Sequence, residues 1–157
     1  MSWESVAGMS ECRRACGGLG YSHYAGIGRY WQSHDIYQSW EGDNNILQQQ
    51  TSKFLLDLLK KKMKGKLEKK TITCEWITIE PVAGQKCLVE TIDEIFSFPS
   101  LIQIFEFRAN LLLQKTGFQL SDKLMGDKKM HPLDAWNSVQ NFYVQNLSSA
   151  YAHLFII

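Results

Sequence analysis

Apolar residues recur at helical spacing through much of this chain and alternate in one short stretch. The clearest helix start is at Asp43-Asn44-Asn45, whose side chains can cap exposed amides. Ile46, Leu47, Gln50, Phe54, Leu55 and Leu58 follow on one predicted face, and the helix runs to about Lys62. Helical signal returns over Leu88–Phe96, and after Pro99 it places Leu101, Ile104, Phe105, Arg108, Leu111 and Leu112 together. Pro132 suits the first turn of a final helix, with Trp136, Val139, Tyr143, Leu147, Ala150 and Leu154 on one stripe. Trp3 to Ala15 reads as a short helix stopped by Gly17-Gly18-Leu19-Gly20. Thr71 to Pro81 is β-branched and alternating, which predicts a brief extended segment. Tyr21 to Trp40 has no clean period and is crowded with Tyr, Trp, His, Ser and Gly. It is expected to be a long ordered loop, and loops of that length are commonly functional. The predicted class is mainly α, a helical bundle with one long loop and no internal repeat.

Composition narrows the picture. The 157 residues suit one domain, and 45% hydrophobic against 21% charged excludes a disordered chain. Basic and acidic residues nearly balance, 17 against 16, so the chain as a whole is no polybasic nucleic-acid binder. The seven lysines between Lys60 and Lys70 read as a solvated helix end and surface linker. No apolar run approaches the roughly 20 residues of a membrane span, and the start lacks the pattern of a secretory signal. Cys12, Cys16, Cys74 and Cys87 form no C-x-x-C pair, and His23, His34, His131 and His153 are scattered. Reduced thiols and no protein-borne metal are expected. Leu154-Phe155-Ile156-Ile157 ends the chain inside an apolar stripe, and an amphipathic stretch begins almost at Met1. Both ends read as cuts in something larger.

The most informative string is Trp40-Glu41-Gly42-Asp43-Asn44-Asn45, at the junction of loop and helix. Glu41 reads as an acid favoured by the helix dipole, worth about 0.3–1 kcal/mol. The less common alternative is a general base, its backbone placed by Gly42 and its carboxylate covered by an apolar lid. The Gly17-Gly18-x-Gly20 loop is likewise a helix stop or a place where backbone approaches a diphosphate. It follows no strand, so it is not a dinucleotide-binding fingerprint.

Taken together, Cys12-Arg13-Arg14-Ala15-Cys16-Gly17-Gly18-Leu19-Gly20-Tyr21 and the later Trp40–Thr51 string resemble the acyl-CoA oxidases, of the flavin-dependent acyl-CoA dehydrogenase superfamily. Asp134-Ala135-Trp136-Asn137-Ser138-Val139-Gln140 is similar to the oxidases' extra C-terminal helical region. The resemblance covers nearly the whole chain and is strongest over residues 10–56. It implies a C-terminal helical segment with the catalytic loop at 1–62, a basic linker at 63–87 and the oxidase-specific region at 88–157.

The resemblance also implies roles. Glu41 matches the base that removes the proton α to the thioester, yielding trans-2-enoyl-CoA while O2 becomes H2O2. Trp40 stands where the family has an aromatic wall, and Gly42 aims Glu41 at the substrate. Gly17 and Gly18 match the pair meeting the FAD diphosphate, and Asp43 and Asn45 match positions near the flavin. The implied partners are acyl-CoA, O2 and a second copy of the full-length protein, in the peroxisome. The terminal Phe155-Ile156-Ile157 is not the peroxisomal S-K-L address. Gln48 stands where the family helix is usually apolar, and Arg14 where the dehydrogenase branch often has a flavin-contacting Gln. The family's β-domain has no counterpart here, so the FAD site is expected to be incomplete and the isolated chain inactive. Two alternatives stay open: a non-catalytic helical module pairing with a longer subunit, and an acyl-CoA dehydrogenase fragment.

Overall fold

The computed structural model describes residues 2–67, 72–78, 89, 91–127 and 129–157. Among them there is no strand, and the mainly α class holds. Helices α1 (Ser2–Ala15), α2 (Gly17–Tyr21), α3 (Ile27–Asp35) and α4 (Asn44–Met63) come first. The later helices are α5 (Ile92–Ile95), α6 (Phe98–Met125), α7 (Pro132–Val139) and α8 (Gln145–Ile156). The chain divides into two compact units, Met1–Leu47 and Gln48–Ile157.

In the first unit, α1 ends near the glycines as expected, and Gly17 has φ +56°. The chain does not then become a long loop. After a 3₁₀ turn at His23–Ala25, residues Ile27–Asp35 form α3, and a second 3₁₀ turn covers Ile36–Gln38. No residue of α3 is fully buried, but Ile27, Trp31 and His34 recur at helical spacing on its half-buried side, a stripe made weak in sequence by its Trp and His members. The unit is held by close backbone approach and stacking. Gly20 is buried, and a Cβ there would sit 1.9 Å from the Arg13 carbonyl oxygen. The Arg13 guanidinium lies 4.4 Å from the Tyr21 ring centre and 5.2 Å from that of Trp31.

The second unit contains the core. Leu55, Leu56 and Leu58 of α4 meet Ala109 and Leu113 of α6 and Leu147 and Ala150 of α8. Burying each such leucine contributes about 1.5–3 kcal/mol. The buried side of α4 is rotated from the expected one: Ser52 and Leu56 are inside, while Phe54 stays 49% exposed. On α6 the buried residues are Ala109, Asn110, Leu113 and Thr116, rather than the face drawn from Leu101 to Leu112. Asn110 and Thr116 belong to the buried stripe yet look polar in sequence.

The extended segment expected at 71–81 is corrected over its described part. Residues Ile72–Thr78 form 3₁₀ turns with a break at Cys74; 71 and 79–81 lie outside the described residues. Trp76 and Ile77 plug into the core, and Asn110 Nδ2 donates to the Trp76 carbonyl at 3.2 Å. The Tyr151 ring lies against Trp76, and burial raises its phenol above the ordinary value.

The last helix is interrupted by a π turn at Gln140–Val144. The extra residue shifts the stripe locally, so Val144 is buried where Tyr143 was expected, and Leu147 and Ala150 are buried as expected. The Ser52 hydroxyl, fully buried, donates to the Val144 carbonyl at 2.6 Å. Ser52→Ala would leave that buried carbonyl without its side-chain donor. It is expected to cost about 1–3 kcal/mol in urea unfolding, whereas Ser138→Ala, at an exposed hydroxyl, stays within about 0.5 kcal/mol. Equal effects at both positions would mean that the Ser52 bond contributes nothing.

Candidate functional site

All the residues singled out in the sequence, from Gly17 to Asn45, lie in the first unit. The string around Glu41 is a turn between the 3₁₀ turn at Ile36–Gln38 and α4. The Trp40 amide donates to the Ile36 carbonyl at 3.0 Å, and the Gly42 amide to the Ser39 carbonyl at 3.1 Å. Gly42 has φ +129°, a conformation that strains any L side chain. A Cβ at Gly42 would also press to 3.3 Å from Leu47 Cδ2.

Asp43 then starts α4. Its carboxylate accepts the Asn45 amide at 2.8 Å, and its carbonyl accepts the Ile46 and Leu47 amides at 2.9 and 3.0 Å. This is helix N-capping, as the sequence indicated. Asn44 Nδ2 donates to Ser2 Oγ at 2.8 Å, tying the same turn to the start of α1.

Glu41 stands exposed on this turn, and its carboxylate has no hydrogen-bond or ion-pair partner among the described residues. Beside it, Trp40 is 57% exposed and meets the Tyr37 ring edge-on at 5.3 Å; His34 stacks on Tyr37 in turn at 5.7 Å. The result is an aromatic row of three rings that ends at the residue before Glu41. Asn45 is exposed.

At the other glycine loop, backbone φ changes sign between Cys16 (−78°) and Gly17 (+56°), and a Cβ at Gly17 or Gly18 would meet nothing within 4 Å. The two ends of this loop therefore do different things. Gly17 and Gly18 leave backbone open, while Gly20 packs against α1. That second role was invisible in the sequence, where three nearby glycines look alike. Arg14 pairs with Glu11 on the exposed side of α1. In the second unit, the departure at Gln48 finds a polar partner: its amide donates to Ser149 Oγ at 3.5 Å. Among the described residues no three His, Cys, Asp or Glu side chains gather as a metal site, and no helix is long and apolar enough to cross a membrane.

Two stability outcomes follow from this geometry. Asp43→Ala is expected to lose about 1 kcal/mol as the cap is removed, and Asp43→Asn only a few tenths. Gly20→Ala is expected to cost about 1–3 kcal/mol through overpacking against α1, while Gly18→Ala has room. Urea denaturation and hydrogen exchange of the α1 and α2 amides read both pairs. Gly18→Ala matching Gly20→Ala would contradict the packing assignment.

Residues 1–56 match the family described as acyl-CoA oxidase, C-alpha1 domain. Peroxisomal acyl-coenzyme A oxidase 1 of Dictyostelium discoideum is 27% identical over 100% of this chain and 25% of its own length. The Mus musculus protein of the same name is 30% identical over 87% of this chain and 21% of its own length. The chain thus spans about a quarter of the length of these relatives or less. Among solved structures, acyl-coA oxidase1 from Yarrowia lipolytica superposes with a TM-score of 0.84 at 21% identity, over 99% of this chain and 22% of that one. Acyl-CoA oxidase-2 of Caenorhabditis elegans, bound with FAD, ascaroside-CoA and ATP, gives 0.81 at 21% identity, over 99% of this chain and 22% of that one. At such identity these structures establish the fold. With the match over 1–56 and the relatives that run through the remainder, the chain belongs to the acyl-CoA oxidase family, within its C-terminal helical region.

Proposed function

We propose that this chain carries the general base of a flavin-dependent acyl-CoA oxidase, which desaturates acyl-CoA in peroxisomal fatty acid β-oxidation. The observation that carries the reading is where Glu41 falls. It lies inside the matched 1–56 segment, exposed and unpartnered, on a turn that Gly42 and the Asp43 cap hold in place. The relatives' names supply the acyl-CoA oxidase activity and the peroxisome. On this reading the functional segments are those drawn from the resemblance: base-bearing at 1–62, linking at 63–87, oxidase-specific at 88–157.

In this mechanism the Glu41 carboxylate removes the proton from the carbon α to the thioester. The electron pair of that C–H bond forms the new α,β double bond, and the β-hydrogen departs with its own pair. FAD, held in part by Gly17, Gly18, Asp43 and Asn45, would supply the acceptor for that hydride, with O2 as the final oxidant that becomes H2O2. The α-proton is weakly acidic, so the base has to act in a site closed to water. Trp40 and Tyr37 offer apolar surface beside the carboxylate for such closure. Gly42 fixes the direction in which Glu41 points.

The residues here fit FAD in part. The open backbone at Gly17 and Gly18, with the change in φ that turns successive amides to one side, suits a diphosphate. Asp43 has one carboxylate oxygen committed to the Asn45 amide, so its second oxygen and the Asn45 side chain are the groups left for the flavin. The acting form on this reading is a homodimer of the full-length protein.

The test is made in the full-length oxidase that contains this segment, by acyl-CoA-dependent H2O2 release under air. Glu41→Gln keeps shape but cannot take the proton at neutral pH, and kcat is expected to fall about 10²–10⁴-fold with little change in KM. Asp43→Asn, which keeps the cap, should lose far less turnover. Near-normal peroxide from Glu41→Gln would remove the base assignment. Turnover with an artificial electron acceptor but no peroxide from the wild type would make the protein a dehydrogenase.

A further inference from the structure

In the second unit, the later halves of α4 and α6 frame an open groove of about 630 Å³, within the range of small-molecule sites. Leu56, Leu59, Leu120 and Leu124 line it, and Gly117 keeps its wall low. Met63, Phe118 and Met125 stand around it 81%, 68% and 78% exposed. Long, unbranched methionines of this kind adapt to a flexible apolar guest.

The groove also has a charge. The ionisable side chains lining it are Lys60 and Lys62, and no carboxylate lines it among the described residues. Lys61, Lys64 and Lys66 follow at the same helix end, whose last carbonyls are occupied by the Lys64, Gly65 and Lys66 amides. Asp57 and Asp122 are the acids these stretches of α4 and α6 carry. Lys60 Nζ reaches Asp57 Oδ1 at 3.4 Å with both side chains more than half exposed, a pair too solvated to cancel the local field.

A lysine run alone is a solvated face, and an apolar groove alone names no occupant. Together they ask for a long apolar body with a single anionic end. We propose that this groove binds a monomeric long-chain carboxylate, its alkyl chain along the leucines and its head group at Lys60 and Lys62. The groove shares no residue with the Trp40–Asn45 turn that carries Glu41, so this proposal and the assignment of the base stand or fall separately.

The experiment titrates cis-parinaric acid, a fluorescent fatty acid kept below its micelle concentration, into the full 157-residue chain. A saturable fluorescence gain at one probe per chain is expected. Dodecanoate, tetradecanoate and hexadecanoate should displace it with affinity rising roughly fourfold per added methylene until the groove is filled. The double variant Lys60→Glu, Lys62→Glu should weaken tetradecanoate about tenfold and leave tetradecanol unchanged. Ser121→Trp adds bulk at an exposed lining position and should abolish the probe signal while the helical circular dichroism is retained. An undiminished signal in Ser121→Trp overturns the site. Equal loss of alcohol and carboxylate in the lysine variant overturns the head-group assignment. Binding to anionic vesicles or to an acidic amphipathic peptide, without binding of the monomeric probe, overturns the ligand class. A dimer in sedimentation that Ser121→Trp dissociates, again without probe binding, assigns the groove to self-association instead.

Discussion

The start of α4 is the constraint on which the candidate site depends. Gly42 at φ +129° reverses the chain in a way no other residue adopts without strain, and Asp43 then takes the Asn45 amide. The helix that begins there runs on for 20 residues, and its Leu55, Leu56 and Leu58 enter the core of the second unit. A single short segment thus serves both local presentation of Glu41 and the placement of a core helix. This coupling makes a purely structural role and a catalytic one hard to separate by deletion. Substitutions that keep the cap and change only the charge, or keep the shape and remove only the base, separate them.

The cap also divides labour between neighbouring acids. Asp43 spends a carboxylate oxygen on the helix, where charge near the N-terminus is favourable. Glu41, two positions earlier, makes no such bond among the described residues and is exposed. Residues of the same chemistry therefore sit two positions apart in unlike settings, one spent on the helix start and one exposed without such a bond. That contrast comes from backbone geometry rather than from composition.

Punctuation in the sequence was the legible part. The Asp43-Asn44-Asn45 start, the glycines after α1 and Pro132 in the first turn of α7 each act through local backbone chemistry, and each marks the observed boundary. Burial was less legible. The half-buried side of α3 is Ile27, Trp31 and His34, a short stripe of mixed polarity that does not stand out among the Tyr, Ser and Gly around it. Trp76 and Ile77 enter the core from 3₁₀ turns, where a β-branched alternation is misleading. The π turn at Gln140–Val144 adds a residue that a fixed period cannot anticipate, so Val144 takes the buried place expected for Tyr143, while Leu147 and Ala150 are buried as expected. At the site, the string from Trp40 to Asn45 was legible through its resemblance, whereas Gly20 was not. Its tight packing against the Arg13 carbonyl depends on a neighbour that only the folded chain brings near.

Exposure is the remaining physical problem for the Glu41 reading. A carboxylate open to water is a poor base for a carbon acid, because hydration stabilises its charged form and the transition state shares little of that benefit. On the proposed reading, the apolar surface that dries the site has to meet Trp40 and Tyr37, which are 57% and 51% exposed. The relatives are four or more times as long as the stretch they share with this chain. Exposure of an aromatic row beside an unpartnered acid is then what a base-bearing segment presents before closure.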